Sequence, residues 1–199
     1  MAVRSEPIPG PFRRVVKDLR AFRWRAGMAV EEIPSPQRIA PHAVALNAEV
    51  SLREADLGGG RLVLLHDPHG VDAWGGTFRV VAYAKGQADP EMVTDTMLAD
   101  VGWSWLLDAL TTHEAEYDAA GGNVNCSWSR SFGELEDDDP HAEIEVRASW
   151  TPLLGTDGSG IGAHLSAFAD LLCATCGVPP LPEGVVRMAP LHHVRPQGR

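Results

Sequence analysis

Four stretches of the chain carry residue types that could do chemistry. His66-Asp67-Pro68-His69 sets two imidazoles and a carboxylate at the end of an apolar run, the components of a metal site or an acid–base centre. Cys173 and Cys176 stand in Cys-x-x-Cys spacing. That spacing serves thiol–disulfide exchange when a helix N-terminus stabilises the thiolate, or zinc when two further ligands complete the shell. Gly158-x-Gly160-x-x-Ala163 formally fits a dinucleotide fingerprint, whose backbone amides meet a pyrophosphate. Arg13, Arg14, Lys17, Arg20 and Arg23 crowd one N-terminal segment that could contact phosphate or an acidic protein surface.

Each stretch also has a structural explanation. No further carboxylate or nucleophile is tied to His66, Asp67 and His69 by a recognisable spacing, and a turn in which Asp67 bonds local backbone accounts for the run. Cys173 and Cys176 fall at the C-terminal end of an expected helix, where the dipole disfavours a thiolate. Two small buried side chains suit that place, and His192 with His193 are the only nearby further ligands. The glycine motif is followed by Pro179-Pro180-Leu181-Pro182 where a Rossmann unit needs a second parallel strand, and Asp157 would repel an anion. The acidic run Glu134 to Asp139 lacks the glycine and alternating ligands of a calcium loop and reads as a solvated hairpin tip. No catalytic residue, cofactor or metal is therefore expected.

Charge narrows the partners. The net charge is −10, yet residues 1–40 carry +4, leaving −14 on the rest. Such an acidic chain is a poor general binder of nucleic acid. The basic segment alone leaves nucleic acid as an alternative, against the simpler picture in which it lies on the acidic body. Lysine occurs twice and arginine fifteen times, the bias of a GC-rich genome. Three cysteines, an odd number, fit a reducing compartment rather than a disulfide framework. No apolar window is long enough for a transmembrane helix, and the N-terminal residues do not read as a secretory signal, so a cytoplasmic location is expected.

The elements that must position these residues follow from periodicity. Phe12, Val15, Val16, Leu19 and Phe22 fall at helical spacing, predicting an amphipathic helix over about 12–25 with Pro11 in its first turn. Strands are expected at Val44–Val50, at Arg61–His66 after a turn at Gly58-Gly59-Gly60, and at Thr77–Ala84. A helix of roughly 100–116 buries Trp103, Leu106, Leu107 and Leu110, and Gly121-Gly122 breaks the pattern. Strands at 123–133 and 142–150 alternate, the second with Glu143, Glu145 and Arg147 on a wet face. A last helix spans Ile161–Thr175, with Leu165, Phe168, Ala169 and Leu172 inward. The order α-β-β-β-α-β-β-α predicts an α+β fold, one domain with a mostly antiparallel sheet. Residues 1–11 are expected as an extension, 12–177 as the domain and 178–199 as a proline-rich tail.

Six tryptophans stand out. Trp103 and Trp105 lie about 200° apart on a helix, so both cannot face one core. Trp105 is expected either to pack under a loop or to join an interface. Trp128 and Trp150, on successive strands, are expected as core partners.

The runs Val101-Gly102-Trp103-Ser104-Trp105-Leu106, Glu116-Tyr117-x-x-Ala120-Gly121-Gly122, Ser131-Phe132-Gly133 and Glu143 to Pro152 resemble an actinobacterial family of unknown function, over roughly residues 10–180. That resemblance implies no activity, cofactor or catalytic residue. The element order also resembles type III secretion chaperones and related small binding domains, a likeness of topology alone. The resulting expectation is a protein-binding or adaptor domain contacting a protein partner through Arg13, Arg14, Lys17, Arg20, Arg23 and Trp105. A small enzyme at His66/Asp67/His69 or Cys173/Cys176 is the alternative, and nucleic-acid binding through the basic helix a second one.

Overall fold

The computed structural model describes residues 7–53, 55–135 and 141–178. Among these, α1 (Gly10–Ala21) precedes four strands, β1 (Met28–Ile33), β2 (His42–Leu52), β3 (Ala55–Val71) and β4 (Gly76–Gln87). A short α2 (Pro90–Val93) and α3 (Leu98–Thr112) lead to β5 (Tyr117–Ser129), β6 (His141–Pro152) and α4 (Ile161–Thr175). The strands form one sheet in the order β1-β2-β3-β4-β6-β5, with every neighbouring pair antiparallel. The fold is α+β, as the grouped strands predict.

All the long helices lie on one face of the sheet. The period-two pattern explains why: Val44, Leu46, Ala48 and Val50 of β2 share a face with Leu62 and Leu64 of β3, Val80, Ala82 and Ala84 of β4, and Val146, Ala148 and Trp150 of β6, all buried. α4 runs down the middle of this face against β3, β4 and β6, flanked by α1 and α3. It is consequently apolar almost all round, with Leu165, Ala167, Phe168, Leu171 and Leu172 fully enclosed. α1 contributes the narrow stripe Phe12, Val15 and Leu19 and keeps its arginines outside.

Glycine sets the depth of α4. Added Cβ atoms would strike the Lys85 carbonyl and Cys176 Sγ at Gly58, the Tyr83 carbonyl at Gly60 with Leu172 only 3.2 Å away, and the Thr175 carbonyl at Gly86. The tract Gly58-Gly59-Gly60 is therefore not a turn. It lies within β3, and the β2–β3 hairpin closes earlier, with Leu52 paired to Ala55.

Other expectations also shift. β1 is an additional strand, hidden in the sequence by its brevity and its two glutamates. α1 ends at Ala21 rather than near residue 25. α3 ends at Thr112, and Gly121-Gly122 lies inside β5 beside a bulge between Asp118 and Gly121. The buried face of α3 is Leu98, Gly102, Leu106, Ala109 and Leu110, while Trp103, Trp105 and Leu107 are half-buried. Trp150 is fully buried, but Trp128 is 51% exposed. Gly102 brings α3 across the sheet at Val124 and Ile144. Trp128 lies four residues further along the edge strand, roughly 13 Å beyond that crossing.

Candidate functional site

The opposite face of the sheet carries no helix among the described residues. Register aligns one outward row across all six strands: Glu31, Asn47, Arg61, Tyr83, Arg147 and Asn123. The next row brings Glu49, Gly59, Lys85, Glu145 and Asn125 together. Asn47, Glu49, Gly59, Arg61, Tyr83, Lys85 and Arg147 of these rows, with Asp56, His141 and Glu143, line a groove of about 780 Å³. Its floor is deepened by the glycine tract of β3, which presents no side chains there.

The side chains of the groove are held by one another. Tyr83 Oη donates to Glu145 Oε1 at 3.0 Å, and Arg147 Nη2 donates to Glu145 Oε2 at 2.8 Å. The Arg147 guanidinium also lies 5.6 Å from the Tyr83 ring centroid. Lys85 Nζ and His141 Nε2 approach Glu143 Oε1 at 2.7 and 2.6 Å. The Lys85 hydrogen bond, then that of His141, holds the Glu143 carboxyl below its ordinary range, and the same contact raises Lys85. Burial, then the Glu145 carboxylate, pushes the Tyr83 phenol up. All three groups are thus fixed in one protonation state near neutral pH. Arg61, exposed in the same row as Tyr83, has no ion-pair partner among the described residues.

The clusters singled out by sequence are placed elsewhere. His66 is buried on the helix-facing side, stacked on Phe78 at 4.1 Å and Phe12 at 5.8 Å, with His42 at 6.0 Å. Its Nδ1 meets the Thr77 carbonyl at 3.0 Å, which makes Nδ1 the protonated nitrogen. Nε2 is buried with no hydrogen-bond partner. Desolvation holds this imidazole below its ordinary pKa. Asp67 Oδ1 instead accepts the His69 backbone N–H at 2.9 Å, the local turn that the sequence suggested, and His69 is exposed. The three residues form no joint centre.

Cys173 and Cys176 are both buried, the first 4.0 Å from Met28 Sδ and the second 3.7 Å from the Lys85 carbonyl. Burial pushes the Cys176 thiol up to about 12, which suits a packed side chain and not a nucleophile. Among the described residues no group of three or more potential ligands could hold a metal ion. His192, His193 and most of the acidic run 134–139 lie outside the described residues. The glycine loop before α4 is a packing device: Asp157 Oδ1 caps Ser159 N–H at 3.0 Å, and a side chain at Gly158 would collide with Pro11.

The basic face of α1 is partly spoken for. Arg14 bonds Asp18 at 2.8 Å and reaches Asp157 at 3.4 Å, while Arg20 grips both oxygens of Glu32 at 2.9 Å. Arg13 donates to the Ile8 carbonyl at 3.0 Å. Lys17 and Arg23 are exposed with no ion-pair partner among the described residues. Trp105 packs half-buried against the core.

Sequence reasoning overlooked the groove as a site, although its signal was present. Glu143, Glu145 and Arg147 alternate on a wet face, but only strand order and register join them to Tyr83, Lys85 and Arg61. No helix among the described residues is long and apolar enough to cross a membrane.

Residues 8–186 match a family model described as a protein of unknown function, DUF3000, and the chain belongs to that family. No curated protein and no solved structure matches it.

Proposed function

For this member of the DUF3000 family, we propose a non-catalytic adaptor role, in which the open face of the sheet receives an extended segment of a partner protein. The observation that carries the reading is the state of the groove. Glu143 is paired with Lys85 and Glu145 with Arg147, Glu49 and Asp56 also line the groove, and Arg61 is exposed with no ion-pair partner among the described residues. Cross-linked groups, each held in one protonation state, make a rigid recognition surface, and tyrosine with arginine is the composition of binding hot spots. Arg61 is the anchor for a carboxylate of the partner.

Arg13, Arg14, Lys17, Arg20, Arg23 and Trp105 belong to the helical side of the molecule and serve, in this reading, as a second contact surface. Lys17 and Arg23 would supply most of its free charge. The cytoplasm of an actinobacterium is the proposed setting, supported by the arginine-rich composition and the resemblance of the four sequence runs.

The test is affinity purification of the tagged full chain, with and without nuclease, alongside Arg61→Glu. A stoichiometric, nuclease-resistant protein lost from Arg61→Glu, with unchanged circular dichroism, is the expected result. Recovery unaffected by Arg61→Glu would refute the groove as the contact. Nucleic-acid-dependent recovery would transfer the role to α1.

One observation favours a small enzyme instead. His66 lines a cavity of about 490 Å³ with Pro11, Phe78 and Thr151, and its bare Nε2 lone pair is that of a base. A small molecule retained by the native chain in mass spectrometry, and lost from His66→Gln, would establish that reading.

A further inference from the structure

Two helix ends face one cavity on the helical side of the molecule, and only one of them is closed. The cavity, of about 870 Å³, lies between the end of α3, the start of β5 and the start of α4, with apolar walls from Leu110, Ala115, Leu153 and Ala163. At the end of α3 the Ala109, Leu110 and Thr111 carbonyls accept the backbone N–H groups of His113, Ala115 and Glu114. The start of α4 has no such closure. Its N-cap, Gly160, makes no side-chain cap, and its first turn holds no acidic residue. The N–H groups of Ile161, Gly162 and Ala163 meet no acceptor among the described residues, since Asp157 in the preceding loop is taken up by Ser159 N–H and Arg14. Gly160 and Ala163 both line the cavity, so this uncapped turn opens onto it.

A side-chain donor converges on the same space. His164 is 2% exposed and also lines the cavity. Its Nδ1 accepts the Trp150 indole N–H at 3.1 Å, and an indole nitrogen only donates, so the neutral imidazole carries its proton on Nε2. Burial keeps the ring neutral at pH 7. Nε2–H has no acceptor among the described residues and, unlike Nε2 of His66, is not sealed from the adjoining space.

We propose that this cavity binds a small monocarboxylate with an apolar body, its oxygens received by His164 Nε2–H and by the first-turn amides of α4. Backbone and side-chain N–H groups converging on an apolar space suit an anion that carries a hydrocarbon part. The charge must be single. A helix N-terminus supplies about half an elementary charge, no lysine or arginine lines the cavity among the described residues, and exposed Glu114 and Glu116 stand at its rim. Those carboxylates repel a phosphate dianion more strongly than a monocarboxylate, and they attract the ammonium of an amino acid. An aliphatic acid and an apolar amino acid share the chemistry that the cavity recognises. The inference rests neither on the groove, which lies on the opposite face, nor on the cavity beside His66.

The experiment is an amide-resolved NMR titration of the full chain at pH 7 with isocaproate, L-leucine (the same body with an added ammonium) and inorganic phosphate. Saturable shifts of the Gly160, Ile161, Gly162 and Ala163 amides are expected with isocaproate or leucine and not with phosphate. Earlier saturation by leucine identifies the ligand as an amino acid, and earlier saturation by isocaproate as a simple acid. His164→Asn keeps an acceptor for Trp150 and removes Nε2–H, so it should weaken binding about tenfold. Ala163→Leu fills the cavity and leaves the donors in place. It should abolish the shifts, and it decides the matter should His164→Asn fail to fold. The proposal is overturned if neither carboxylate gives saturable shifts at these amides by about 10 mM. It is equally overturned if phosphate shifts them at the same concentration, or if either variant, folded by circular dichroism, binds as tightly as wild type.

Discussion

At the scale of single residues, burial decides what the histidines can do. His164 is 2% exposed and accepts the Trp150 indole N–H on Nδ1 at 3.1 Å, and desolvation lowers its pKa from 6.5 to about 4. The unfolded chain then takes up a proton before the native chain does. Stability is unaffected above pH 6.5 and falls as pH drops from 6.5 toward 4, and His66, lowered for the same reason, acts in the same direction. Between pH 7.5 and 5 His164 alone should cost about 2 kcal/mol. Urea titrations at the two pH values should show that loss, and His164→Asn, which keeps an acceptor for Trp150, should remove most of it. A second residue to test is Asp170, which accepts from Arg25 at 2.7 Å and contacts His113 Nε2 at 2.6 Å, joining α4 to the α1–β1 connection and the end of α3. Asp170→Ala should lower the unfolding free energy by about 1–3 kcal/mol in denaturant titration. Neither partnership could be read from the chain, since Asp170 lies 145 positions from Arg25.

At the scale of elements, the sequence showed most of what the helices do, because a helix is encoded by contiguous residues. The stripe of Phe12, Val15 and Leu19 and the span Ile161–Thr175 both follow from spacing alone. The strands were harder. A glycine tract reads as a turn by local propensity, yet Gly58, Gly60 and Gly86 are strand positions where the β4 backbone and α4 leave no room for a Cβ. Gly86→Ala would set a Cβ against the Thr175 carbonyl and Cys176 Cα, both backbone, and should destabilise by about 1–3 kcal/mol. Gly162→Ala is the contrasting case. Nothing lies within 4 Å of its added Cβ, so the helix-favouring residue should stabilise α4 by up to about 1 kcal/mol, both changes being measured as shifts in thermal midpoint. Trp128 was misplaced for a related reason: alternation identifies the face on which it stands, but not whether a helix reaches that far along the strand.

At the scale of the molecule, the charge asymmetry of the chain is partly resolved internally. Arg14 reaches Asp157 and Arg25 reaches Asp170, so the basic segment is laid against the acidic body at two places. Reversing Lys17 and Arg23 together to glutamate should leave the unfolding free energy within about 0.5 kcal/mol of wild type, because neither has an ion-pair partner among the described residues. Any loss of partner recovery by that double variant then reports on binding and not on folding. Composition, periodicity and capping residues determined by themselves that the chain makes an α+β fold with an amphipathic first helix and a buried last one. These are properties of neighbours in sequence, set by side-chain period and backbone preference. Strand order, the open face with Arg61 beside Tyr83, the burial of His66 away from Asp67 and His69, and the exposed β5 edge were decided only in three dimensions. They depend on pairings between segments tens of residues apart, and register across a sheet is fixed by the joint burial of all its strands, which no single strand encodes.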